Sequence, residues 1–161
     1  MTAPGTTRQI KPAPVRRSIF VKASPEHAFA VFTSGFDRWW PKGHSVGSSP
    51  QKAALLEPKL GGRWYEIGED GSETQWGQVI VWEPPRRLVV SWQVGADWIC
   101  DPDLHTEVEV RFTPEGDGVR VDLEHSKLEA YGQRAEEVRA KIDNEKGWNG
   151  LLKLFAAEAE H

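Results

Sequence analysis

Five histidines, one cysteine and 24 carboxylates carry most of the ordinary catalytic and metal-binding potential of this 161-residue sequence, and their spacing limits what they can do. No two histidines stand at H-x-x-x-H spacing and no acid completes a facial triad beside them, so no metal centre is expected. His125 ends the run Val119 to His125. Its imidazole is a candidate polar anchor or general base in a pocket, against the simpler reading of a hydrogen-bonded residue at a strand end. His44 lies in the Gly/Ser-rich stretch PKGHSVGSSPQ and reads as a solvent residue, His27 as an exposed first-turn residue of a helix, and His105 as the start of a strand. Cys100 sits in Trp98-Ile99-Cys100-Asp101-Pro102, where the adjacent acid would raise a thiol pKa and oppose nucleophilic use. Gly61-Gly62 precedes a strand-like run and lacks the Gly-x-Gly-x-x-Gly order of a dinucleotide site, and no Gly-x-Ser-x-Gly elbow occurs. Acid pairs such as Glu136-Glu137 read as the solvated face of a helix. No cofactor is expected.

Tryptophan is the anomaly. Eight stand in the chain, several times the usual share, and each carries a large apolar surface with one N–H that needs a partner when buried. Packing a core is the simpler use for any one of them; their number favours aromatic walls around a small molecule.

Charge and composition narrow the classes of function. Lys plus Arg number 20 against 24 acids, a formal net charge of −4, which opposes a phosphate-neutralising surface and makes nucleic acid an unsuited partner. A lone cysteine cannot form an internal disulfide. The first fifteen residues lack the apolar core of a signal peptide, and no stretch reaches the 18 apolar residues of a membrane span. A cytoplasmic location without membrane contact is the expectation.

The elements that must position these residues follow from periodicity. Met1 to Pro14, rich in Pro, Thr, Gly and Ala, has little to bury and reads as a flexible arm before a domain at 15–161. Arg16 to Ala23 suits a strand. Ser24-Pro25-Glu26 then supplies an N-cap, Pro at N1 and an acid in the first turn, ahead of Ala28, Phe29, Val31 and Phe32 at helical spacing. Phe36 to Trp40 predicts a second short helical turn that Pro41 ends, and Pro41 to Gln51 a loop. Six strand-like runs follow: Ala53 to Pro58, Arg63 to Gly68, Thr74 to Trp82, Arg87 to Val94, Leu104 to Phe112 and Val119 to His125. From Tyr131 to Glu160 the apolar positions recur at three- and four-residue steps and predict one long amphipathic helix, with Gly147 and Gly150 as a kink, a close approach or a boundary. This order predicts an α+β helix-grip fold, in which a curved antiparallel sheet of six to seven strands wraps the final helix and leaves a gap where a small ligand fits.

Several linked motifs carry a family resemblance: Glu57-Pro58 with Gly61-Gly62-Arg63-Trp64, then Gly77-Gln78-Val79 and Trp82-Glu83-Pro84-Pro85-Arg86-Arg87-Leu88, then Gly147-Trp148 with Leu151-Leu152. From about Arg16 to Ala159 the sequence resembles the Hsp90-ATPase-activator-homologue branch of the START-like superfamily, also called SRPBCC or Bet v 1-like. The resemblance implies the helix-grip fold. The superfamily spans lipid carriers, hormone receptors, cyclases, dehalogenase-like proteins and co-chaperones, so it leaves the activity open. The co-chaperone carries a separate Hsp90-binding domain ahead of the similar one, and the short arm before Arg16 does not match it.

Strand phase sorts candidate pocket residues from solvent, because residues two apart share a face. Thr106, Val108, Val110 and Phe112 form one inward set and Val119, Val121, Leu123 and His125 another. The phase of Thr74 to Trp82 is ambiguous; burying the largest aromatics favours Trp76, Ile80 and Trp92 inward. Trp39, Trp40, Trp64 and Trp76, with Trp92, Trp98 and Trp148, are then candidate walls. Gln78, His125 and Asn149 are candidate polar anchors, Asn149 because it lies three residues before Leu152 on the helix stripe. Trp64, Trp82 and Trp148 belong to the shared motifs and read as architectural. The leading expectation is a protein that binds a small hydrophobic or aromatic ligand without catalysis. The alternatives are a cyclase- or hydrolase-type enzyme pairing His125 with Glu66 or Asp37, and a module acting on a chaperone. A second copy of the chain is a further candidate partner, since an outward Trp would suit a dimer contact.

Overall fold

The computed structural model describes residues 12–161; apart from Pro12, Ala13 and Pro14, the expected N-terminal arm lies outside the described residues. Seven antiparallel strands form one curled sheet: β1 Val15–Val21, β2 Gln51–Leu56, β3 Arg63–Gly68, β4 Glu73–Glu83, β5 Arg87–Trp92, β6 Thr106–Glu115 and β7 Gly118–Ser126, in the spatial order β1-β7-β6-β5-β4-β3-β2. Two short helices, α1 Pro25–Phe32 and α2 Phe36–Trp39, carry the chain from one edge strand to the other. The first begins as its sequence demands, with Ser24 Oγ accepting from the His27 backbone N–H at 3.0 Å.

The last third departs from the single helix that its periodicity predicts. A 3₁₀ segment at Leu128–Arg134 leads into α3 Ala135–Ile142, and α4 Trp148–Ala159 follows after a break. The break has a local cause. Asn144 Oδ1 accepts from the backbone N–H groups of Lys146 and Gly147 at 2.8 and 3.0 Å, a turn that competes with helix continuation. Gly147 and Gly150 then lie so close to the preceding turn that a Cβ would stand 2.3 Å from the Ile142 carbonyl oxygen and 1.8 Å from that of Glu145.

Helix α4 lies in the curl of the sheet with Trp148, Leu151, Leu152, Phe155, Ala156 and Ala159 buried. Phe155 meets Phe32 of α1 and Trp39 of α2 at ring distances of 5.2 and 5.5 Å. The inward sets of β6 and β7 fall as their alternation predicts, His125 among them at 0% exposure. Strand β4 does not follow simple alternation: the register slips against β3 between Trp64 and Tyr65, and against β5 between Val79 and Val81. Each irregularity shifts which side chains face the core. Trp76 and Val79 are therefore both inside, while Ile80, expected inward, is only half-buried and Gln78 is exposed. Among the described residues no helix is long and apolar enough to cross a membrane.

Candidate functional site

Three segments meet at one end of the curl: loop 41–50 between α2 and β2, the β5–β6 connection with Trp98, and the α3–α4 junction at 143–147. Between them lies a small recess walled by Trp40, Trp92, Trp98 and Trp148, with His125 at its base. His44, Lys141 and Lys146 also border it, with Ile142, Gly147 and Leu151. The recess opens to solvent and has a volume of about 60 Å³, room for a few waters, whereas pockets for drug-sized ligands run to about 300–1,000 Å³.

A directed chain of hydrogen bonds fixes His125. Thr106 Oγ1 donates to the Trp92 carbonyl at 2.8 Å, so its lone pair accepts from His125 Nε2–H at 2.9 Å. His125 Nδ1 in turn accepts from the Trp148 indole N–H at 3.1 Å. Both ring nitrogens are spent on a neutral imidazole, and full burial pushes the His125 pKa down to about 3. A base this weak, with no free nitrogen, is poorly suited to abstract a proton from a ligand. Glu66, also buried, accepts from Val46 N at 2.6 Å, Trp76 Nε1 at 2.9 Å and Ser45 Oγ at 2.9 Å. Asp37 holds Ala54 N and the Lys42 ammonium. Neither acid hydrogen-bonds His125, so the geometry does not bring together the acid–base pair that the sequence suggested.

The loop over the recess is latched at three points. Glu66 holds Ser45 and Val46 from below. Trp98, whose backbone sits in the left-handed region at φ 66°, reaches across to donate its indole N–H to the Ser45 carbonyl at 2.8 Å. On the far rim His44 Nε2 bonds the Lys146 carbonyl at 2.9 Å. Cys100 is half-buried, and burial together with the Glu66 charge pushes its thiol up to about 11. The direction is as expected; the causes are burial and Glu66, with Asp101 not among them.

The expected wall residues divide into two groups. Trp40, Trp92, Trp98 and Trp148 border the recess, and His125 lies beneath them. Trp39, Trp64 and Trp76 are core behind it, the last two touching at 5.4 Å. Trp148, a candidate wall that also belongs to a shared motif, borders the recess and bonds His125 of β7. Two anchors require correction. Gln78 faces outward beside Gln93 and Cys100, because the β4 slip reverses its phase. Asn149 lies off the buried stripe, near Arg17 and Leu152, and donates its amide to Glu145 in the turn before its helix. His44, Lys141 and Lys146 were not legible as site residues; only Gly147, a marked boundary, pointed to that junction. Among the described residues no group of His, Cys, Asp and Glu side chains could hold a metal ion.

A curled sheet gripping a C-terminal helix, with a recess at one mouth, is the architecture of the START-like class. The chain belongs to the Activator of Hsp90 ATPase homolog 1-like protein family, whose model matches residues 22–160. It is 38% identical to an anthrahydroquino-γ-pyrone synthase, Txn09, over 91% of this chain and 97% of that one, at a TM-score of 0.63. It is 32% identical to CalC, a self-sacrificing resistance protein from Micromonospora echinospora, over 92% and 94% of the two chains, at a TM-score of 0.70. The Aha1 dimer from Colwellia psychrerythraea shares the fold at 16% identity, covering 92% and 97%, with a TM-score of 0.62. Among curated proteins nothing matches.

Proposed function

We propose that this protein binds a planar, largely apolar aromatic molecule in the recess, with loop 41–50 moving aside to admit it. The observation that carries this reading is the wall of four indoles, Trp40, Trp92, Trp98 and Trp148, around His125, whose two ring nitrogens are already satisfied. Aromatic walls recognise flat rings by stacking and edge contacts. The name of the 38% identical synthase records a fused aromatic product, which supports a ligand of similar shape. A reducing, cytoplasmic setting suits the protonated, half-buried thiol of Cys100.

Titration with a panel of polycyclic quinones, read by tryptophan emission, tests the proposal. Saturable quenching is expected, and Trp40→Ala together with Trp98→Ala should weaken it about tenfold or more. Emission unchanged across the panel would overturn the reading. A catalytic reading has one specific support, the near full-length identity to a synthase. Mass spectrometry of ligand recovered after incubation separates the two: unchanged mass supports binding, and conversion supports catalysis.

A further inference from the structure

The recess has a charge that the chain as a whole does not. With 24 acids against 20 basic residues, the protein is net negative, yet the charged side chains bordering the recess are Lys141 and Lys146, and no carboxylate borders it among the described residues. Several acids of the neighbouring segments are held by cations: Asp97 by Arg134 at 2.7 Å, Asp143 by Arg17 at 2.7 Å, Glu145 by Lys153 at 3.6 Å, and Glu137 by Arg134 at 2.7 Å; the buried Glu66 beneath loop 41–50 is held by neutral donors instead. Lys141 reaches Glu137 at 3.2 Å through an exposed pair, while the Lys146 ammonium has no ion-pair partner among the described residues. The indole N–H of Trp40, a wall of the recess, is buried without an acceptor, as is that of Trp64 in the core behind it, whereas the indole N–H groups of Trp98 and Trp148 are both satisfied. A buried donor without a partner calls for an acceptor that the protein itself does not supply.

Resting on the proposed function, we infer that the ligand is an anionic aromatic: a flat ring system with an acceptor oxygen for the Trp40 N–H and a carboxylate or enolate at its edge, facing Lys141 and Lys146. The apolar walls supply most of the affinity. The lysines discriminate, because a charge at the solvent rim chooses between otherwise similar partners more than it adds binding energy.

The test compares anthraquinone-2-carboxylate with anthraquinone-2-carboxamide, two probes of nearly the same shape that differ in charge, by quenching of tryptophan emission. The wild-type protein should bind the carboxylate about five- to tenfold tighter at low salt, with the preference collapsing near 1 M salt, where the Debye length is about 3 Å. The double variant Lys141→Gln, Lys146→Gln, both surface changes, should bring the two affinities together by weakening the carboxylate alone. Equal affinities in the wild type, or a preference that survives the double substitution, would overturn the inference and leave the proposed function standing. If neither probe quenches, the proposed function fails and the inference falls with it.

Discussion

His125 shows how far a residue's chemistry is set by its surroundings. Its sequence position, at the end of an apolar strand face, admits a catalytic base beside the simpler hydrogen-bonded reading, and the outcome turns on the indole of Trp148 and the hydroxyl of Thr106. The imidazole has an ordinary pKa of 6.5 and about 3 in the fold. Between those values the unfolded chain binds the extra proton, so stability is full above pH 6.5 and is lost as the pH falls. Urea unfolding should record a loss of about 1.4 kcal/mol per pH unit below 6.5 from this group, about 2 kcal/mol by pH 5. A stability flat across that range would show His125 to be protonated in place. Thr106→Val removes the acceptor for Nε2–H without changing shape much; it should cost about 1–3 kcal/mol, measured by the same unfolding.

Two elements make predictions that propensity alone would miss. Gly150 lies inside α4, where Ala is ordinarily better by about 1 kcal/mol. A Cβ there would stand 1.8 Å from the Glu145 carbonyl oxygen, so Gly150→Ala should destabilise by about 1–3 kcal/mol, read as a lower melting temperature. Loop 41–50 depends on a buried acid. Glu66→Ala strands the Val46 N–H and the Trp76 indole N–H, with an expected loss of about 2–4 kcal/mol and faster hydrogen exchange at Val46. The strands themselves were readable because alternation in β6 and β7 is strict and their turns carry Gly and Asp. What alternation cannot register is an inserted residue, so Gln78 and Ile80 were assigned to the wrong face. Helical period likewise continues through residues 143–147 although the backbone does not, since the apolar spacing holds on both sides while Asn144 folds the intervening turn. Lys141 and Lys146 belong to the rim only because of that break.

At the scale of the whole molecule, the recess of about 60 Å³ is small beside a polycyclic ring system, so the proposed binding requires the latched loop to open. Saturating anthraquinone-2-carboxylate should therefore accelerate hydrogen exchange at Val46 and leave the β6–β7 amides unchanged; uniform protection everywhere would instead mean that the ligand fits the closed form. The pairing of the two sheet strands farthest apart in sequence has its own consequence. β1 joins only β7 within the sheet, Val15 opposite His125, more than a hundred residues later. At ribosomal rates the first strand waits roughly 5–20 s for its neighbour, with Val15 and Val21 uncovered and charged Arg16, Arg17 and Lys22 interspersed or alongside. Basic residues so placed suit a gatekeeper role on a nascent chain that cannot close its sheet until β7 has been made.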